Sequence, residues 1–320
     1  MWLALTIAFS FALFPLFTGA QDYPSRPVRI IVPTPAGSAT DMSMRMVAPG
    51  LAGLLGQQLV IDNRAGAGGR IGTELAARSS ADGYTLVLGT PGTLTIMQHL
   101  QKDLPYQTLR DFAPIGLISQ GPYLLVAHPS VPVRSVKELL ALAKAQPGKL
   151  NYGSAGTGAT NHLAMELFKS MSGTKIVHVP YKGGALTTTA IVSGEVDLTM
   201  LSIAPLLPHV RAGKLRGLGI TGAKRFALLP DLPTISESGV PGYEAITWFG
   251  VLAPAGTPNA ILSRLVNALR KVLGAPEIRE KLQVSGAEPG ERFGDGFAEL
   301  IRRETEVYEK LIKQSGVRFN

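Results

Sequence analysis

The apolar positions of this chain alternate between two patterns: short continuous runs, and stripes spaced three and four apart. Val28 to Val32 is a β-branched run closed by Pro33, and Met42 to Leu55 follows with apolar residues at helical spacing. The pattern repeats. Leu59 to Ile61 predicts a strand and Ile71 to Arg78 a helix, and Thr85 to Leu88 predicts a third strand. Ile115 to Ser119 and Tyr123 to Ala127 read as two strands separated by Gly121-Pro122. Ser135-Val-Lys-Glu138 is a capping box opening a helix whose apolar face is Val136, Leu139, Leu140 and Ala143. Further strands are predicted at Ile176 to Val179, Val196 to Leu201, Leu215 to Thr221 and Thr247 to Ala253. Thr257-Pro258 predicts an N-cap with proline at the first helical position, ahead of a stripe running from Ile261 to Val272. A terminal helix over about 296–314 carries Phe297, Leu300, Ile301, Val307 and Tyr308 on its buried face.

Strands that alternate with helices predict an α/β architecture with mostly parallel sheets. Gly121-Pro122 and the proline-rich Leu229-Pro-Asp-Leu-Pro233 are the places where the chain would cross between two bodies. This divides it into one lobe of residues 21–122 plus 226–320 and a second of 123–225. In such sheets ligands sit beyond the carboxyl ends of the strands, and the loops there are rich in glycine and hydroxyls. One is Thr34-Pro-Ala-Gly-Ser-Ala-Thr-Asp41, and Thr90 begins another. A third runs from the strand at Leu150 through Ser154-Ala-Gly-Thr-Gly-Ala-Thr160 into a helix. Backbone N–H groups of a glycine loop and of a helix N-terminus suit an anion. A hydroxyl-capped helix start explains the same letters, and Asp41 reads equally as a first-turn carboxylate.

The first twenty residues are apolar and uncharged and end Thr18-Gly19-Ala20, which predicts an export signal cleaved after Ala20, and so a periplasmic protein; an uncleaved anchor is the alternative. There is no cysteine, so the fold must stand on its core without disulfides. Net charge is +8 and the isoelectric point about 9.7, which suits an anionic partner. The basic residues are scattered, with no run and no interleaved aromatics, which argues against nucleic acid.

Catalytic patterns are weak. Tyr152 stands where a nucleophile elbow before Ser154 needs its first glycine. A secreted hydrolase built on Ser154 and His162 remains an alternative reading, beside a satisfied structural histidine. His99, His128, His178 and His209 are isolated in sequence, without metal-ligand spacing. Gly217-Leu-Gly-Ile-Thr-Gly222 has the letters of a dinucleotide fingerprint but falls inside a predicted strand. No cofactor is implied.

Several ordered runs span residues 23–258: Tyr23-Pro-Ser-Arg-Pro27, Asn63-Arg64 with Gly66-Ala-Gly-Gly69, and Tyr152-Gly-Ser154 with His162-Leu163. Val179-Pro-Tyr-Lys-Gly183, Ala212-Gly-Lys-Leu-Arg216, Pro241-Gly-Tyr-Glu244 and Ala253-Pro-Ala-Gly-Thr-Pro258 continue them. Together they resemble the Bug family, the extracytoplasmic solute receptors of tripartite tricarboxylate transporters. The resemblance implies a two-lobed periplasmic binding protein of the type II, Venus-flytrap kind, each lobe a mostly parallel sheet flanked by helices. It implies a monomer that captures a small carboxylate and delivers it to membrane permease subunits; a partner that reports occupancy to a sensor kinase is the other destination. The expected ligand contacts are Thr34, Pro35, Ala36, Gly37, Ser38, Asp41 and Thr90 from one lobe. From the other they are Ser154, Ala155, Gly156, Thr157, Gly158, Thr160, Tyr181, Lys182 and Ser202, and Trp248 is a further candidate wall. Many relatives carry an Asp near Met200-Leu-Ser202 that meets a ligand amine. Its absence here favours a carboxylate without an ammonium group.

Overall fold

The computed structural model describes residues 23–315. The expected signal segment, residues 1–20, lies outside them. From the N-terminus the chain builds β1 (Val28–Val32), α1 (Ala39–Leu55), β2 (Leu59–Asn63), α2 (Arg70–Ala77) and β3 (Thr85–Gly89). A π turn at Gly92–Ile96 runs into the short α3 (Met97–Leu100), and α4 (Thr108–Asp111) leads to the long β4 (Phe112–Ala127). Then come α5 (Val136–Ala145), β5 (Asn151–Ser154), α6 (Thr160–Ser172), β6 (Val177–Pro180), α7 (Gly184–Ser193), β7 (Leu198–Ser202), α8 (Ile203–Arg211) and β8 (Arg216–Ile220). The last elements are β9 (Ile246–Pro254), α9 (Asn259–Gly274), α10 (Pro276–Val284), β10 (Glu288–Pro289) and α11 (Asp295–Ser315).

The strands follow the order β2-β1-β3-β9-β4-β7-β5-β6, with β8 and β10 also on β4. β1 lies parallel to β2 and β3, and β5 parallel to β6 and β7. β4 joins these two parallel groups. Its residues Phe112–Pro122 pair antiparallel with β9, and Tyr123–Ala127 pair antiparallel with β7. The two strands expected around Gly121-Pro122 are therefore one element. Both halves find pairing partners, so the backbone stays extended through a proline that has no N–H to offer.

Period-2 alternation sends successive side chains to opposite faces, and each lobe consequently has two cores. On β1, Ile30 and Val32 pack with Met44, Val47 and Leu51 of α1 and Leu265 and Leu269 of α9. Ile31 packs on the other face with Val87, Trp248, Leu252, Phe297 and Ile301. On β4, Leu125 joins Tyr152, Met165 and Phe168, while Leu124 and Val126 join Ile191 and Leu206. Full burial of one such side chain stabilises by roughly 1.5–3 kcal/mol. Val307 departs from the stripe expected on α11 and is exposed.

The return to the first lobe was expected near Phe226. Instead Phe226, Leu228, Leu229 and Leu232 pack with Leu206 and Ile220, and Ile235, Val240 and Tyr243 lie in the core with Phe168. The Tyr243 hydroxyl donates to the Ala164 carbonyl at 2.8 Å. The first lobe resumes only with β9 at Ile246. The cap expected at Thr257 also shifts: Pro258 is the N-cap, because the Thr257 hydroxyl turns back to donate to Pro254 O at 2.7 Å. On α5, Ser135 Oγ accepts from Glu138 N as the capping box predicts, but the Glu138 carboxylate takes Arg134 N–H rather than that of the cap.

Candidate functional site

The loops leaving β1, β2 and β3 face those leaving β5, β6 and β7 across a cavity of about 350 Å³. The lobes touch around it. Gly92 N donates to Thr160 Oγ1 at 2.8 Å, joining the π turn of one lobe to the first turn of α6 in the other. At Gly183, where φ is +116°, a Cβ would lie 2.4 Å from Pro35 Cδ. Only glycine permits that approach. Ile96, Leu163 and Ile312 form a small buried cluster at the same junction, with Leu100 and Tyr308 against it.

Four helices begin at the cavity. α1 is capped by Ser38, whose Oγ accepts from Asp41 N at 3.3 Å and sits 2.8 Å from Thr34 Oγ1. α6, α7 and α8 begin after Ala159, Gly183 and Ser202, with no side-chain cap on any of them. First-turn N–H groups have no partner within their own helix, and each N-terminus carries about half a positive charge. Among the residues lining the cavity none is acidic and only Lys182 is charged. This arrangement stabilises an anion and offers nothing to an ammonium group.

Of the residues expected from sequence, Thr34, Pro35, Ser38, Thr90, Ala155, Gly156, Thr157, Thr160, Tyr181, Lys182 and Ser202 line the cavity. Ala36, Gly37, Asp41, Ser154 and Gly158 do not. Asp41 turns into its own loop, accepting from Gly37 N (2.9 Å), Arg45 Nε (2.9 Å) and Asn63 Nδ2 (3.0 Å). Burial opposes its charge, but the bonds from Arg45, Gly37 and Asn63 outweigh burial and hold the carboxyl below its ordinary value. Asn63 Nδ2 also donates to Thr34 O at 3.0 Å, so this pair fixes the shape of the first loop.

Ser154 is wholly buried and lies 2.6 Å from His178 Nε2, not against His162. The sequence pairing of Ser154 with His162 is therefore corrected, and His178 is not isolated. The His178 ring stacks on His162 at 4.1 Å and on Tyr152 at 4.9 Å. His162 Nδ1 accepts Gly158 N–H at 3.2 Å, and the Ser154 hydroxyl accepts Gly156 N–H at 3.1 Å. The serine and histidines thus shape the β5–α6 loop from behind. Burial pushes both imidazoles down to about 4. Trp248 is buried in the core, with its Nε1 donating to Glu304 Oε2 at 2.7 Å.

Sequence reasoning missed part of the lining. Ala65 to Gly69, after β2, obeys the same carboxyl-end rule that selected the Thr34 and Thr90 loops and was legible by it. Tyr123, Thr247 and Phe249 come from the interiors of β4 and β9. Burial raises the Tyr123 hydroxyl far above its ordinary value, against the opposing pull of Thr247 and Thr160 beside it. Gln101 and Asn161 also line the cavity and carried no sequence signal.

Two α/β lobes joined through β4, with helix N-termini converging on the cleft between them, define a two-lobed periplasmic binding protein. Residues 43–317 match the family described as the tripartite tricarboxylate transporter family receptor, and the chain belongs to that family. The protein BugT of Bordetella pertussis is 35% identical over 300 residues, covering 93% of this chain and 92% of BugT. Among solved structures, Rpa4515 of R. palustris, solved with adipate, is 40% identical with a TM-score of 0.90, covering 93% of this chain and 99% of that one. MatC from Rhodopseudomonas palustris, with bound malate, is 30% identical with a TM-score of 0.87, covering 91% and all of that chain (100%). The family and these neighbours are solute-binding receptors of the periplasm, and among the described residues no helix is long and apolar enough to cross a membrane.

Proposed function

We propose that this protein captures a small carboxylate lacking an ammonium group in the interlobe cavity and hands it to permease subunits of a tripartite transporter, without chemical change. One observation carries the reading: three uncapped helix N-termini open on a cavity lined by one lysine and no acidic residue. The relatives solved with adipate and malate support the carboxylate class. Ligand contacts are assigned to the hydroxyls of Ser38, Thr157 and Thr160 and to first-turn N–H groups of α6, α7 and α8. Lobe 1 comprises the chain up to Pro122 and again from Ile246, and lobe 2 the chain between. The mature protein begins after Ala20, acts as a monomer, and closes by hinge motion where β4 and β9 pass between the lobes.

The test is a thermal-shift titration of residues 21–320 with mono- and dicarboxylates, aspartate and glutamate. A ligand at a hundred times its Kd adds roughly 2.7 kcal/mol of stability, a shift of several degrees. A dose-dependent rise with a carboxylate and none with either amino acid is expected. Tight binding of aspartate or glutamate would refute the exclusion of an ammonium group, and no response to any carboxylate would refute the ligand class.

A further inference from the structure

Buried polar atoms without a hydrogen-bond partner are uncommon in folded proteins, and each has a cause. Among the described residues there are five on side chains, and three belong to residues that line this one cavity: Gln101 Oε1, Asn161 Nδ2 and the Tyr181 hydroxyl. Tyr181 is set apart. Burial and then the adjacent Glu195, which is not part of the lining, push its hydroxyl up to about 12. The other two form a pair of opposite character. Asn161 sits in the first turn of α6, is 4% exposed, and its Oδ1 accepts Ala155 N–H at 3.3 Å. Only the oxygen end of an amide can meet that N–H, so the free end is the NH2 group. Gln101 follows α3 in the facing lobe and presents an acceptor.

We infer that Asn161 and Gln101 read a neutral hydroxyl on the ligand, so that the substrate class is a hydroxy-substituted carboxylate; this rests on the carboxylate-receptor reading above. A hydroxyl accepts from Asn161 Nδ2–H through its oxygen and donates its hydrogen to Gln101 Oε1, satisfying both buried atoms at once. A carboxylate oxygen satisfies only the donor and sets negative charge against the Gln101 carbonyl. An ammonium group satisfies only the acceptor. A methylene satisfies neither. A site built to hydrogen-bond a substrate hydroxyl discriminates strongly against the analogue lacking it, because its own polar groups are then left unpaired.

The experiment is isothermal titration of residues 21–320 with matched pairs: succinate and malate, glutarate and 2-hydroxyglutarate, adipate and 3-hydroxyadipate. At the chain length that binds best, the hydroxy acid is expected to bind at least about tenfold more tightly. In Asn161→Leu and in Gln101→Leu that ratio falls to within about twofold. Gln101→Leu leaves the Ala155 hydrogen bond in place, so it separates ligand reading from any loosening of the β5–α6 loop. Equal affinities within every pair, or a ratio retained in both variants, overturns the inference while leaving the receptor reading standing. Absence of binding by all six acids overturns the carboxylate reading itself, and this inference with it.

Discussion

Thr160 is the side chain through which the two lobes meet most directly, and replacing it with Val tests whether that meeting is part of ligand capture. The substitution keeps the shape and removes the acceptor for Gly92 N–H, a buried bond of 2.8 Å between the lobes. Leaving a buried donor unpaired costs about 1–3 kcal/mol. Gly92 regains water as its partner when the lobes part, so the cost falls on the closed form alone. A ligand that binds the closed form then loses affinity by the same amount, about fivefold to 150-fold at 1.4 kcal/mol per decade. The assay is calorimetric Kd for the best carboxylate, with the compaction of the protein on ligand addition followed by small-angle scattering. Thr160→Ser retains the hydroxyl and is expected to stay within about threefold of the parent. An unchanged Kd in Thr160→Val, or equal losses in the Val and Ser variants, would refute the argument.

The Gly183→Ala substitution places a Cβ 2.4 Å from Pro35 Cδ at a φ of +116°, so ligand-induced compaction is lost. Pro35→Gly added to it restores compaction if the ring is the obstacle, and failure to do so removes that explanation. Burial pushes Glu304 up to about 7 although Trp248 donates to it. A carboxyl raised in the folded state contributes stability at low pH that is lost as pH rises through about 7. Glu304→Gln therefore gains about 1–3 kcal/mol over the parent at high pH and nothing at low pH in urea denaturation. His162 and His178 act in the opposite direction. Both are depressed to about 4 by burial, so the unfolded chain takes up protons first and stability is lost as pH falls from the ordinary imidazole range toward 4. The loss is on the order of a few kcal/mol, less for the part-exposed His178. His178→Gln should flatten the acid side of the stability curve relative to Glu304→Gln, and an unaltered curve would rule the ring pair out as its cause.

The alternation of short apolar runs with helical stripes determined the α/β class, the parallel groups around β1 and β5, and nearly every strand and helix within a few residues. Those features depend on side-chain period and on local glycine, proline and capping chemistry, which neighbours along the chain decide among themselves. Carboxyl-end loops were legible for the same reason, and the Ala65–Gly69 loop obeyed the rule that found the others. Only the tertiary structure decided that β4 runs unbroken through Gly121-Pro122 and that residues 226–245 stay with the second lobe, because pairing partners and core neighbours come from distant segments. It also turned Asp41 and Ser154 away from the cavity, toward Arg45, Asn63 and His178. No spacing along the chain reports which of several polar groups a buried hydroxyl or carboxylate will meet. Tyr123, Thr247, Gln101 and Asn161 entered the lining in the same way: they face the cavity because two lobes close over it, and the surface of a cleft belongs to both lobes at once.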